Sequence, residues 1–371
     1  MMNNWNEYLS ALAPQPASAA HASGAGPIDA TGFAHFGRVL TAAELADGFV
    51  APVANLGLIA VSGDDAAAFL HGQLTNDVAN LPPGSVRLAG YCTPKGRLQA
   101  TMLVWRDAAG AGAPATAPAT IYLQLPRAVQ PAFQKRLSMF VMRAKATLRD
   151  ASDDPGSAAV LGLGGVRAAQ ALLAHTGPLP PEPATCVVSG AGTVLRLADA
   201  FGAPRFLWLT SVENARAALP ALQATLALGG SDAWELSGIH AGIAQVTTAT
   251  LEQFVPQMIN FELVGGVNFK KGCYPGQEIV ARSQYLGKLK RRTTLATLHG
   301  QAAAGMELFS ADDPAQPCGM VVNAAPNGAG GVDALVEIKL AALDQSVHLG
   351  SATGAQLTFL PMPYALDALD L

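Results

Sequence analysis

The sequence is poor in charge, and this shortage limits the classes of protein to which it can belong. Charged residues make up 13% of the 371 residues, and the formal net charge is −4. The chain therefore offers no strong positive field for holding nucleic acid through its phosphates or for adhering to an anionic membrane. No uninterrupted apolar run approaches the roughly 20 residues that a membrane-spanning helix needs. We expect no membrane partner and no direct binding of nucleic acid.

Cysteine is scarce as well. The four cysteines are Cys92, Cys186, Cys273 and Cys318. They lie far apart, with no CxxC pair and no His/Cys cluster at metal-ligand spacing. The chain alone therefore offers neither a zinc site nor a disulfide framework. This pattern favours a reducing, cytoplasmic location.

The beginning of the chain lacks the features of a targeting segment. Residues 1–35 have neither the basic start nor the continuous apolar stretch of a signal peptide. They are rich in small residues and end in a glycine-containing run. We expect residues 1–35 to form a mobile arm.

Short strand-like and helix-like runs fill the rest of the chain, and half of its residues are apolar, enough for a substantial core. Before residue 150 the order is strand, helix, two strands joined by a tight turn, a further strand and a helix. A similar order, strand, helix, two strands and helix, follows after it. Two α+β units of ferredoxin-like type within residues 36–288 would explain this repeat. Residues 289–371 change to short alternating runs, which are typical of a small β-barrel.

One stretch, "NFKKGCYPGQEIVAR" at residues 268–282, has an unusual composition. Pro275 predicts that a helix begins there, with Cys273 just before its positive end. That end and the nearby cations Lys270, Lys271 and Arg282 would favour the thiolate of an exposed cysteine, making it a nucleophile or a metal ligand. A single thiolate cannot hold an iron–sulfur cluster alone, so a partner or a small thiol would supply the other ligands. The alternative is that Cys273 is a buried small residue beside a helix cap.

The segment "KGCYPGQEIVAR" resembles the signature of the YgfZ family, whose members are similar to the glycine-cleavage T-protein, bind folate and assist iron–sulfur enzymes. The runs "GLIAVSGDDAAAFLHGQLTNDVANLPPG", "YCTPKGRLQATMLVWR" and "LPMPYAL" extend the resemblance over residues 56–366. It implies an α+β fold in which three domains, two ferredoxin-like units and a C-terminal β-barrel, form a ring of T-protein type. The signature segment, residues 268–288, would return to a central opening that accepts tetrahydrofolate.

The resemblance also assigns roles by position. Cys273 would be the reactive or cluster-sharing thiol. Its supporting signature residues would be Lys271, Gly272, Tyr274, Gly276, Gln277, Glu278 and Arg282. The other three cysteines fall outside the signature and are expected to pack in the interior.

A folate needs a slot for its flat pterin, a few fixed polar partners for the pterin edge and a cation for its glutamate tail. Candidates for the slot are Asn76, Tyr91, Trp105, Gln257 and Asn260; those for the tail are Arg87, Lys95 and Arg97. Each also has a structural interpretation, since aromatic residues beside a hairpin usually belong to the core and arginines on strands to the surface. His240 stands where T-proteins carry a glutamate that grips the pterin edge, so the affinity or the preferred folate would differ.

These residues predict a protein that binds tetrahydrofolate or a one-carbon-substituted reduced folate. It would assist the assembly or repair of iron–sulfur clusters in client enzymes, including tRNA-modifying ones. Its partners would be iron–sulfur client or carrier proteins, and a cluster would be shared transiently through Cys273.

Two alternatives remain open. The first is a folate-dependent aminomethyltransferase, but Gln99 and Ala100 stand where T-proteins carry consecutive aspartates and cannot act as a carboxylate base. The second is a scaffold that binds no folate. The basic run "GKLKRR" at residues 287–292 is expected to be a solvated connection, or else to receive an acidic partner or a folate tail.

Overall fold

The computed structural model describes residues 4–12, 36–107, 119–286 and 289–366. In chain order the helices are α1 (Asn4–Leu12), α2 (Ala42–Asp47), α3 (Ala66–His71), α4 (Gln130–Ser138), α5 (Ala168–Thr176), α6 (Val212–Gln223), α7 (Ser231–His240) and α8 (Gln277–Tyr285). Strands β1 to β6 are Phe49–Pro52, Leu56–Ser62, Val86–Cys92, Leu98–Arg106, Ile121–Pro126 and Thr147–Asp150. Strands β7 to β11 are Ala159–Gly164, Thr185–Ser189, Gly192–Ala200, Ala203–Thr210 and Ala227–Leu228. Strands β12 to β17 are Arg291–His299, Glu307–Ser310, Pro317–Pro326, Gly331–Lys339, Val347–Leu349 and Leu357–Leu360.

The first unit is an antiparallel five-stranded sheet in the order β3-β4-β5-β2-β6. Alternate residues of β2 point to opposite faces, as in any strand. Ile59 and Val61 join a core with Phe133 of α4, whereas Leu58 and Ala60 join the core that links this unit to the rest of the molecule. Both faces of β2 are therefore buried, which explains its nearly continuous apolar run.

The second unit is a six-stranded sheet in the order β11-β1-β7-β10-β9-β8. Strand β1 comes from the chain before the first unit, and it pairs antiparallel with β7 and parallel with β11. The two units meet at their edges, where the amide of Val86 donates to Ala184 O and the amide of Cys186 donates to Gly84 O, both at 2.8 Å. The second unit is therefore discontinuous along the sequence, and backbone hydrogen bonds join it to the first.

The prediction of a mobile arm is wrong for residues 4–12, and residues 13–35 lie outside the described part of the chain. Helix α1 buries Trp5 and Leu9 in the core of the second unit. Tyr8 stacks on Trp5 with 5.6 Å between the ring centroids. Apolar residues three and four positions apart give the helix one apolar face, and this face packs against the second unit.

The third unit is an antiparallel sheet in the order β16-β13-β14-β15-β12-β17. Its core contains Leu308, Val321, Val336 and Ile338, all of them fully buried. The sheet curls into a half-barrel, as the alternating runs near the C-terminus predicted. Within the described residues, no helix is long and apolar enough to cross a membrane.

Residues 241–267, here called the central segment, join α7 to the signature segment with little regular structure. The segment forms backbone hydrogen bonds to the first unit, where the Leu98 amide donates to Phe254 O at 2.8 Å and the Glu252 amide donates to Leu98 O at 2.9 Å. It also contacts the half-barrel, where the Thr293 hydroxyl donates to Met258 O at 2.9 Å. The central segment therefore holds the units together.

The basic run at residues 287–292 is not a fully solvated connection. Arg291 binds Glu337 through two hydrogen bonds, of which Nη2 to Oε2 is 2.7 Å. Arg292 pairs with Glu262 of the central segment, and the two side chains are only 3% and 4% exposed. Lys288 lies outside the described residues. Both arginines form ion pairs with glutamates of the same chain. The prediction of a solvated connection is therefore wrong for these two residues.

Replacing Arg292→Met should lower the free energy of unfolding by about 3–5 kcal/mol, because Glu262 would keep its buried charge without that cation. Urea unfolding followed by circular dichroism measures the change. The control is Arg282→Met, since Arg282 pairs with Glu278 on an exposed helix face and should contribute no more than about 0.5 kcal/mol. Equal losses in the two variants would show that the buried pair does not hold the central segment to the half-barrel.

Candidate functional site

The signature segment is fixed by a close contact between two glycines. Gly276 has φ 82°, and a Cβ there would lie 2.3 Å from Thr93 O and 2.8 Å from the Cα of Gly96. Gly96 lies in the turn between β3 and β4. A Cβ on Gly96 would lie 2.9 Å from the Cβ of Ile279 in α8. Because left-handed backbone cannot belong to an α-helix, α8 begins at Gln277 rather than at Pro275 as predicted. The close packing of Gly276 against Thr93 and Gly96 fixes the residues that follow Cys273 against the first unit.

Replacing Gly276→Ala should destabilise the protein by about 2–4 kcal/mol, since it combines an unfavourable φ with overlap of backbone atoms. Thermal unfolding and the rate of proteolysis within residues 268–288 both report the change. The matched control is Gly202→Ala, where φ is 71° and a Cβ would meet no atom within 4 Å. It should cost about 1 kcal/mol; a similar loss at both glycines would argue against the close contact.

Cys273 is the one exposed cysteine in the part of the chain that the structure describes. Cys92, Cys186 and Cys318 are buried, and burial raises the pKa of Cys92 to about 12 and that of Cys186 to about 11. The alternative that Cys273 is a buried small residue is therefore wrong. The chain presents a single thiol to solvent, and its other thiols are held in the neutral form.

Lys271 ties the signature segment to the end of α3. Its Nζ donates to His71 O at 2.6 Å and to Gly272 O at 3.1 Å, and it lies 4.7 Å from the centroid of the Tyr274 ring. Burial lowers the pKa of Lys271 to about 8, against the opposing effect of the charges of Asp77 and Cys273. Lys271 is thus both a structural link and a cation close enough to Cys273 to interact with it.

The remaining signature residues divide between the interior and the surface. Tyr274 is buried, which raises the pKa of its phenol, and its amide donates to Gln277 Oε1 at 3.3 Å. Glu278 and Arg282 pair with each other on the exposed face of α8 at 3.2 Å. The guanidinium of Arg282 is therefore paired with the carboxylate of Glu278.

Three predicted folate contacts belong to the internal structure of the first unit. Tyr91 packs edge-on against Phe133 and Trp105 stacks on Tyr122, with centroid distances of 5.3 and 5.5 Å. The amide of Asn76 donates to Leu88 O and to Gly265 O, both at 2.7 Å. The structure therefore does not bring these residues together as a slot; their contacts instead hold the sheet and the central segment.

Gln257 and Asn260 lie fully buried in the central segment. Gln257 Nε2 donates to Val280 O and Asn260 Nδ2 donates to Thr293 O, both at 2.8 Å. Their carbonyl oxygens, Oε1 and Oδ1, are buried and have no hydrogen-bond partner in the structure. These two atoms are acceptors that a donor from a bound molecule could satisfy.

His240 connects the second unit to the half-barrel. Its Nε2 lies 2.7 Å from Asp333 Oδ2, and its ring centroid is 4.3 Å from that of Phe201. Burial opposes the charge of Asp333, but hydrogen bonds from His240 and Asn327 keep its pKa below the usual range. A glutamate at position 240 would place a second carboxylate beside that of Asp333. The histidine at this position, which departs from the T-protein pattern, therefore suits the aspartate at position 333.

The three cations that were predicted to bind a folate tail differ from one another in their contacts. Arg87 donates to Asp77 O, and Arg97 donates to Gln253 O. Lys95 is exposed in the turn between β3 and β4.

A cleft of about 160 Å³ lies beside the central segment; its walls include Phe254, Met258, Arg291, Met320 and Glu337.

The positions that replace the T-protein aspartates also differ in environment. Gln99 Nε2 donates to Glu252 Oε1 at 2.6 Å, and Ala100 is fully buried in the core of the first unit. Neither side chain can serve as a carboxylate base. This agrees with the sequence interpretation of these two positions.

His71 lies beside the signature segment and was not singled out from the sequence. Its Nδ1 is 3.0 Å from Asp77 Oδ1, and its Nε2 would be 3.5 Å from a Cβ on Gly272. The sequence interpretation placed Asp77 in a turn, which fits its hydrogen bonds to Asn80. The six-residue spacing of His71 and Asp77 carried no recognisable signal, because a loop brings them together.

Comparisons with known proteins agree with this architecture. No family model matches the chain. It is 36% identical over 246 residues to the tRNA-modifying protein YgfZ of Klebsiella pneumoniae, covering 66% of this chain and 70% of the relative. It is 32% identical over 318 residues to the protein of the same name from Edwardsiella ictaluri, covering 83% and 90%.

The fold comparison covers nearly the whole chain. The crystal structure of the glycine cleavage system aminomethyltransferase T from Bartonella henselae superposes with a TM-score of 0.70 at 16% identity, covering 89% of this chain and 91% of that one. This likeness establishes the fold and confirms the predicted α+β architecture of T-protein type.

Proposed function

The chain belongs to the YgfZ family, and on that premise we propose that it binds a reduced folate and assists iron–sulfur cluster assembly or repair in client enzymes. The clients would include enzymes that modify tRNA, in keeping with the name of its relatives. The protein would act on tRNA through these clients. Its cysteines are free, which suits action in the reducing cytoplasm.

The exposed thiol of Cys273 on an anchored segment is the observation that carries this proposal. An iron–sulfur cluster usually takes four protein ligands. Among the described residues, no group of three or more His, Cys, Asp or Glu side chains could hold a metal ion. Cys273 would therefore supply one ligand, and a client, a carrier protein or a small thiol would supply the others. The cluster would be cargo and not a resident cofactor.

Folate binding is supported by the two buried acceptors of the central segment. A pterin presents N–H donors along its edge, and Gln257 Oε1 and Asn260 Oδ1 have no hydrogen-bond partner in the structure. Pairing buried acceptors with ligand donors would remove the cost of leaving them unsatisfied. A cleft lined in part by Phe254 and Met258, which belong to the same central segment, offers apolar surface for a flat ring. We assign tetrahydrofolate or a one-carbon-substituted form to this region.

Aminomethyl transfer receives no support from the site. The mechanism needs a carboxylate beside the folate. Ala100 lies in the core, and the amide of Gln99 is held by Glu252. We therefore propose assistance to iron–sulfur enzymes rather than transfer of a one-carbon unit.

In a bacterium whose own family member has been deleted, this chain should restore the tRNA modifications made by iron–sulfur enzymes, measured by mass spectrometry of tRNA nucleosides. Cys273→Ala should leave them at the level of the empty vector, because the shared thiolate ligand is lost. Cys186→Ala, which removes a buried thiol, should complement like the wild type. Full activity of Cys273→Ala would show that the function does not require the thiol. Failure of the expressed wild type to complement would refute the proposal.

Calorimetric titration with tetrahydrofolate should show saturable binding to the wild type. Gln257→Met should weaken it by about tenfold, the value of one hydrogen bond to a buried acceptor. The control is Gln301→Met, which changes an exposed glutamine before β13 and should bind like the wild type.

Two results would count against a folate site in the central segment. The absence of saturable heat with the wild type would favour a scaffold that binds no folate. Unchanged affinity in a folded Gln257→Met variant would place the folate elsewhere.

A further inference from the structure

Arg205, on strand β10 of the second unit, is a buried arginine without an ion pair in the described part of the chain. It is 4% exposed and lies on the same face of the strand as Leu207 and Leu209, which turn toward the core shared by the units. The carboxylate of Asp199 acts on it only at a distance, because Asp199 is paired with Arg196. A buried cation in this position is costly unless an anion joins it.

The electrostatic surroundings reflect that cost. Burial lowers the pKa of Arg205 to about 9, and the charge of Arg196 acts in the same direction, against that of Asp199. The two arginines are on neighbouring strands, and only Arg196 has a carboxylate of the chain as its partner. An anion beside Arg205 would relieve the repulsion between the two cations.

The contacts of the Arg205 guanidinium use only part of its hydrogen-bonding capacity. Nε donates to Ser237 Oγ of α7 at 2.9 Å, and Nη1 donates to Ala198 O at 3.5 Å. The group lies 4.4 Å from the centroid of the Trp234 ring. No acceptor among the described residues takes a hydrogen bond from Nη2. The guanidinium is therefore held in place, while the edge formed by Nη1 and Nη2 keeps donors for a further partner.

Gly238 leaves a gap beside Nη2. This residue follows Ser237 in α7 and is partly exposed. A Cβ on Gly238 would lie 3.6 Å from Arg205 Nη2, and beyond the adjoining backbone of its own helix it would meet no other atom within 4 Å. Glycine weakens a helix interior, but here it leaves open a path from the surface to the buried cation.

Apolar groups lie near the same end of α7. Phe201, in the turn between β9 and β10, is partly exposed, and its ring centroid is 4.3 Å from that of His240. Leu197 is opposite Arg205 across the two strands and is also partly exposed. The charge of Asp333 is paired with His240. These neighbours suit a ligand that has an apolar part as well as a negative charge.

We propose that Arg205 binds the carboxylate of a small organic acid that enters beside Gly238. The two oxygens of a carboxylate match the Nη1 and Nη2 edge of a guanidinium, which favours a bidentate pair with charge-assisted hydrogen bonds. The acid supplies the anion that the described chain does not, and Phe201 and Leu197 contact its apolar part. The site goes beyond the proposed function, which assigns no role to Arg205.

The test is calorimetric titration at low ionic strength with two probes, glutarate and p-aminobenzoylglutamate. The wild type should bind at least one of them saturably. Arg205→Met should weaken that binding by about tenfold or more, because the hydrogen bonds to a charged group are lost. The matched control is Arg216→Met, which changes another arginine that lies over an aromatic ring, that of Tyr8, and should bind like the wild type.

Gly238→Leu is a second variant, which carries the test if circular dichroism shows that Arg205→Met is unfolded. Leucine favours a helix more than glycine does, and its side chain would fill the gap, so the folded variant should also bind about tenfold more weakly. Equal affinity for the two probes would assign the site to free small acids. Binding of p-aminobenzoylglutamate alone would assign it to a carboxylate carried on an aromatic body, such as the tail of a folate.

Two results overturn the proposal: no saturable binding of either probe to the wild type, or unchanged affinity in a folded Arg205→Met or Gly238→Leu variant. Neither probe contains a pterin, and the variants leave Cys273 and Gln257 in place. Failure here is therefore distinguishable from failure of the proposed function.

Discussion

The structure depends on satisfying the backbone of a buried segment that has little regular secondary structure. Residues 241–267 run between the first sheet and the half-barrel, and their buried N–H and C=O groups must find partners other than a helix or strand of their own. Strand β4 supplies some through Leu98, and side chains supply others: the Thr75 hydroxyl donates to Gly266 O at 2.6 Å and the Asn76 amide to Gly265 O at 2.7 Å. The polar residues of the centre are therefore first of all structural. A ligand at this place would have to use the hydrogen-bonding groups that remain.

The same segment determines where the thiol lies. It delivers the chain to the edge of the first unit, where Asn268 donates its amide to Thr75 O at 3.0 Å. From there, the Lys271 link and the contact between Gly276 and Gly96 fix the loop on both sides of Cys273. A surface thiol held in this way has little freedom to collapse onto the protein. It can be offered to a partner at small entropic cost.

The departures from the T-protein pattern are accompanied by internal changes. His240 pairs with Asp333 of β15 and so connects two units. Ala100 contributes to the core where a catalytic carboxylate would be expected. Cys273 is the exposed cysteine of the described chain.

The sequence alone determined the family and the α+β class and drew attention to Cys273, because these depend on local patterns: alternating strands, a similar strand and helix order in two halves, and one dense motif. It also placed α8 within one turn of its observed start. Trp5 shows the limit of reading composition, since small residues concealed a helix that packs on the second unit. What only the tertiary structure decided was the use of each polar side chain. Asn76, Arg292 and His240 bind residues that are distant in the sequence, and Lys271 donates to the carbonyl of His71, 200 residues away. Such long-range contacts are set by how units pack and leave no trace in local spacing.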